Sequence, residues 1–133
     1  SPEGIQNAAI YETDGVNGSY VRSAITFTST SATQLVTFSY HVKYIDNQWL
    51  RFRAVSFNVG AEVWFDILNG VIGTNNFPLD TTAKIEPLKD GWYRISVTRE
   101  LDFSTDREGF LQISPSDADG TTSRRIRIRF NTN

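Results

Sequence analysis

The chain has 133 residues, 13 Lys+Arg against 15 Asp+Glu, and no cysteine. That length suits one domain with its own core, and the near-neutral balance excludes a polyelectrolyte partner for nucleic acid. Thiol catalysis, thiolate metal sites and disulfide frameworks are excluded outright.

In chain order, alternation of apolar and polar residues predicts strands at roughly 7–12, 19–28, 34–44, 48–56, 61–68, 91–98, 108–114 and 123–130, with a short extended piece near 83–87. Turn chemistry separates them: DGVNG at 14–18, DN at 46–47, NVG at 58–60, NG at 69–70, TNN at 74–76 and KDG at 89–91. About eight main strands without helical periodicity predict an all-β, two-sheet antiparallel jelly-roll sandwich over residues 1–133. No apolar run approaches the roughly 20 residues that cross a bilayer, so no membrane partner is expected. The opening SPEGIQNAAI lacks the basic and apolar regions of a signal peptide, and the expectation is one module excised from a longer chain.

Because neighbouring side chains in a strand point to opposite faces, each segment divides into an inner and an outer set. Val36, Phe38, Tyr40, Val42 and Tyr44 go inward, with His41 and Lys43 outside. Leu50, Phe52 and Ala54 go inward, leaving Trp49, Arg51 and Arg53 outside. Ala61, Val63, Phe65 and Ile67 go inward, leaving Glu62, Trp64 and Asp66 outside. Tyr93, Ile95 and Val97 go inward, leaving Trp92 and Arg94 outside. Ile126, Ile128 and Phe130 go inward, putting Arg125, Arg127 and Arg129 in an outer row.

All three tryptophans thus fall on the polar side of their strands, where an aromatic ring is characteristic of a binding surface. Two outer groups emerge as candidate ligand sites. A hairpin of 48–56 and 61–68 would unite Trp49, Trp64, Arg51, Arg53, Glu62 and Asp66 in a mixed-charge aromatic platform. Jelly-roll order would set the strand near 34–44 between those near 91–98 and 123–130. That would gather Trp92, Arg94, His41, Lys43, Arg125, Arg127 and Arg129 on one basic face suited to an anionic glycan.

Catalytic motifs are missing: there is one histidine, no GxSxG elbow, no HExxH, no phosphate-binding glycine loop and no dinucleotide fingerprint. Glu62 and Asp66 stand four residues apart along a strand, roughly 13 Å, too far for a glycosidase pair. No catalytic residue or cofactor is expected. DADG at 117–120 imitates the opening of a calcium loop without its later ligands, and a structural Ca²⁺ held partly by backbone carbonyls is the metal reading it would allow.

The series SPEGIQNAA, YVRSAITF, VTFSYHVKY, QWLRFRA, VWFDILNGVIGT and DGWYRISVT resembles the jelly-roll, lectin-like or carbohydrate-binding-module-like domains of phage tail fibres, tailspikes and other virion proteins, which also occur appended to bacterial polysaccharide-degrading enzymes. The resemblance covers roughly residues 1–98, with WFD followed by NG, and later DGWYR, as its most distinctive pieces. Those domains often end in a tract resembling IWGAQLE, and RRIRIRFNTN stands in its place here. The resemblance implies a noncatalytic sandwich, extracellular or on a virion surface, that recognises a polysaccharide or cell-surface glycan. The alternative it carries is a capsid decoration or tail-fibre module, using the same residues against homo-oligomeric or virion neighbours.

Overall fold

The structure, a computed structural model, describes residues 9–12, 21–26, 33–55, 61–78, 80–102, 108–122 and 129–132. Within them ten strands form: β1 (Ala9–Glu12), β2 (Val21–Thr26), β3 (Thr33–Tyr44), β4 (Trp49–Val55), β5 (Ala61–Asp66), β6 (Val71–Asn75), β7 (Thr82–Pro87), β8 (Trp92–Asp102), β9 (Glu108–Ser116) and β10 (Arg129–Thr132). They build two sheets, β1-β10-β3-β8-β7 and β2-β9-β4-β5-β6, with every neighbouring pair antiparallel.

With β6 and β7 set aside, the pairing is that of one long hairpin, joining β1 to β10, β2 to β9, β3 to β8 and β4 to β5. Successive rungs of this hairpin alternate between the sheets, so it is rolled up on itself, which is jelly-roll connectivity. The expected sandwich is therefore present, and β3 lies between β8 and β10 as anticipated. The additional strands β6 and β7 extend the same side of both sheets. Residues 123–128, which include Arg125, Ile126, Arg127 and Ile128, lie outside the described residues.

Where side chains are described, the inner faces are those that alternation predicts; Ala54, Ala61 and Phe130 fall outside that set. Phe38, Val42, Leu50, Phe52, Val63, Phe65, Ile67, Ile95 and Val97 are buried together, joined by Leu101 and Ile113, with Val36, Tyr40, Tyr44 and Tyr93 packed against them. Phe52 bridges the layers, edge-on to Tyr40 of the opposite sheet at 5.8 Å and to Phe65 of its own sheet at 6.2 Å.

Turn chemistry positions the ends. Between β7 and β8, Asp90 (φ 59°) and Gly91 (φ 78°) take consecutive left-handed conformations, and the Leu88 N–H closes the turn on the Trp92 carbonyl at 2.8 Å. Asp and Gly are residue types that tolerate that region, which is why KDG reverses the chain here. Between β5 and β6, Gly70 (φ 72°) has Tyr93 against it, leaving no space for a Cβ.

Candidate functional site

The β4–β5 hairpin sets Trp49 opposite Asp66, Arg51 opposite Trp64 and Arg53 opposite Glu62, so the expected platform residues do share one face. That face is not an open platform. Trp64 is 1% exposed: its indole N–H donates to the Thr121 carbonyl at 2.9 Å and to Ser116 Oγ at 3.2 Å, beneath the segment that follows β9. Arg51 is buried beside it, its Nε donating to Glu62, while Arg53 and Glu62 are half-buried. The half-buried Trp49 lies against β6, where its Cζ3 would stand 2.6 Å from a Cβ at Gly73. The expectation of solvent-facing stacking rings is corrected for this group. Parity places a ring outside a sheet, but here a loop and an added strand cover that side.

Asp66 is likewise structural. Its carboxylate accepts bonds from the backbone N–H groups of Leu68 and Asn69, from Asn69 Nδ2 and from Gln48 Nε2, all at 2.9–3.0 Å. Burial by itself raises its pKa, yet the bonds from Asn69, Gln48 and Leu68 outweigh burial and hold the group below the ordinary aspartate value of 3.8.

On the other sheet, His41 stands opposite Arg94, Lys43 opposite Trp92, and Asn131 of β10 opposite Lys43, so the expected adjacency exists. Arg129 of β10 is paired in register with Glu12 of β1. Two corrections apply. Trp92 is only 5% exposed, with the Lys43 stem near Gly91 beside it. Nor is the face uniformly basic, because Arg94 Nη1 pairs with Glu86 at 3.0 Å. Arg125 and Arg127 fall outside the described residues.

A concave site appears elsewhere, at the end of the sandwich where three connections meet. Tyr44, Asp46, Asn47 and Gln48 bring one wall from the end of β3 and the β3–β4 connection; Leu68 comes from the β5–β6 turn, and Ser116 and Asp117 from the end of β9. Together they line a cleft of about 140 Å³. Its first two walls are tied by the Ile67 N–H to the Gln48 carbonyl at 2.8 Å and by Gln48 Nε2 to Asp66. Asn47, 3% exposed, donates its Nδ2 to the Trp49 carbonyl at 2.7 Å. The third wall is held by the Ser116 hydroxyl, which donates to the Thr121 carbonyl at 2.9 Å.

DADG folds over the same end as a strap. Asp119 accepts from the Thr74 N–H at 2.7 Å and from its hydroxyl at 3.2 Å, so that carboxylate clasps β6. Among the described residues no group of three or more His, Cys, Asp or Glu side chains is placed to hold a metal ion. Strand parity could not reveal the cleft, because its residues lie in connections apart from Tyr44 and Ser116, which end β3 and β9. The available signal was the polar run DNQ at 46–48, facing under jelly-roll connectivity the same end as NG at 69–70 and SDADG at 116–120. Comparison with known proteins finds no matching family model and no matching curated protein.

Proposed function

We propose that the chain is a noncatalytic carbohydrate-binding module, acting outside the cell or on a virion surface, whose glycan enters the cleft between the β3–β4 connection, the β5–β6 turn and the end of β9. The observation that supports this reading is the lining itself: one aromatic ring, Tyr44, beside a concentration of short polar side chains on braced backbone. Sugars present apolar C–H faces and a dense array of hydroxyls, and such a wall matches both. At about 140 Å³ the cleft is smaller than the roughly 300–1,000 Å³ of drug-sized pockets, so it suits one sugar residue or a chain end. Modest affinity per site would then be multiplied by copy number on a polymer or fibre.

The test is affinity electrophoresis and a glycan array on the native chain, on Tyr44→Phe and on Asp46→Ala. Tyr44→Phe keeps the ring that packs on the core and removes only the hydroxyl, and Asp46 is exposed, so both variants should fold. Weakened binding in both, at unchanged melting temperature, supports the reading; retained binding in both rejects this cleft as the site.

A second reading, assembly with neighbouring protein chains, is favoured by a different observation. Leu68, Val71 and Ile72 are 47%, 50% and 38% exposed around the β5–β6 turn and the edge strand β6. Apolar side chains gathered on a sheet edge are a recognised protein contact surface. Sedimentation velocity on the native chain and on Val71→Ser/Ile72→Thr would detect such self-association and its loss.

A further inference from the structure

The β5–β6 turn contains a dipeptide with a chemistry of its own. Asn69 is followed by Gly70, and an asparagine before glycine is the arrangement most open to deamidation, because no side chain on the following residue shields its backbone nitrogen. The fold cannot dispense with that glycine. Gly70 takes φ 72°, and a Cβ there would stand 2.7 Å from Tyr93 Cε1. Asn69 itself is exposed, so water and hydroxide reach its carboxamide.

In the reaction, the Gly70 amide nitrogen gives up its proton to hydroxide and attacks Asn69 Cγ; the new N–Cγ bond closes a succinimide ring as the Cγ–Nδ2 bond breaks and Nδ2 leaves as ammonia. Water then opens the ring at either carbonyl, which leaves an aspartyl or an isoaspartyl residue at position 69. Water is consumed, ammonia is released, and nothing is oxidised or reduced. Both reacting groups are held in the turn. The Gly70 N–H donates to the Asp66 carbonyl at 2.8 Å, while Asn69 Nδ2 donates to Asp66 Oδ2 and the Asn69 N–H to Asp66 Oδ1, each at 2.9 Å. Deprotonating the first group and turning the second both require those bonds to open.

We propose that Asn69 is a site of spontaneous deamidation that Asp66 holds in check, and that the modification irreversibly unlatches the β5–β6 turn. Either product replaces a donor by a carboxylate against Asp66 Oδ2, where like charges repel. An isoaspartyl product also adds a carbon to the main chain inside a turn that closes from the Asp66 carbonyl to the Gly70 N–H, with Gly70 against Tyr93. The consequence reaches the surface on both sides of the turn, because Leu68 lines the cleft and Val71 and Ile72 begin the exposed edge strand β6. The Asp66 bracket thus guards a one-way change in cleft wall and sheet edge alike.

The experiment is peptide mapping by mass spectrometry after incubation in mildly alkaline buffer, counting Asn69 against its aspartyl and isoaspartyl products. The folded native chain should deamidate at this position at least about tenfold more slowly than the same chain unfolded in urea. Asp66→Asn should raise the folded-state rate several-fold, whereas Gln48→Leu, which removes a different bond to Asp66 and leaves those to Asn69, should not. Circular dichroism establishes that the variants compared are folded; if Asp66→Asn is not, the folded and unfolded rates of the native chain decide alone. The product is mimicked by Asn69→Asp, which should speed hydrogen exchange at the Leu68 and Gly70 N–H groups relative to the native chain. Equal rates in folded and unfolded native chain, equal acceleration by Gln48→Leu and Asp66→Asn, or unchanged exchange in Asn69→Asp overturns the proposal.

Discussion

Asp66 shows how a residue that reads as a ligand-binding carboxylate can be a bracket of the fold. Its four bonds organise the β5–β6 turn and fasten it to Gln48, which in turn shapes the cleft. Asp66→Asn, which exchanges an acceptor-only group for one with donors, should cost about 2–3 kcal/mol at neutral pH. The pH dependence has a definite sign. The folded-state pKa lies below the ordinary aspartate value of 3.8, so the proton-linked stability is fully present above that value and is lost as pH falls through the lower folded pKa. Urea unfolding of native and Asp66→Asn chains should therefore show a gap at pH 7 that narrows below pH ~3.8. Trp64 makes a parallel case. Trp64→Phe removes the N–H that reaches Thr121 and Ser116, and should cost about 1–3 kcal/mol while speeding hydrogen exchange across 117–122.

The strand that alternation did not reveal is β6. Its residues VIGTN follow one turn signal, NG, and overlap another, since Thr74 and Asn75 of the expected TNN turn belong to the strand, and an edge strand with exposed side chains on both faces has no apolar alternation to display. What holds it is its surroundings. The register with β5 shifts between the Val63 and Phe65 pairs, and within the resulting irregularity Gly73 meets Trp49 and the Asp119 carboxylate. A methyl group has no room there without displacing one of them. Gly73→Ala should lower stability by about 1–3 kcal/mol, read as a fall in melting temperature, whereas Asp119→Ala should mainly release the Thr74 N–H and raise its exchange rate. The β7–β8 turn contrasts with this, because KDG carries its own conformational instruction and needed no tertiary help to be read.

For the molecule as a whole, stability rests on the contact between the two inner faces, and Phe52 lies at its centre, touching Tyr40 across the gap. Phe52→Ala should cost about 3–5 kcal/mol, and because one core serves both sheets the loss should appear as a shift of a single cooperative transition in denaturant. Much of this level was legible beforehand. Period-two alternation determined which residues of β3, β4, β5 and β8 face inward, since a one-residue slip would carry every apolar side chain into water. Together with turn residues at strand ends, it also determined the all-β sandwich. The position of β3 between β8 and β10 followed from jelly-roll order once the fold class was recognised. What lies over an outer face was decided only by the tertiary structure. Trp64 and Trp92 are outward by parity and buried in fact, because parity is a property of one strand whereas burial depends on segments distant in the chain. The cleft is a stronger instance of the same cause. Gln48, Leu68 and Asp117 belong to three separate connections, and rolling up one long hairpin brings those connections to the same end of the sandwich.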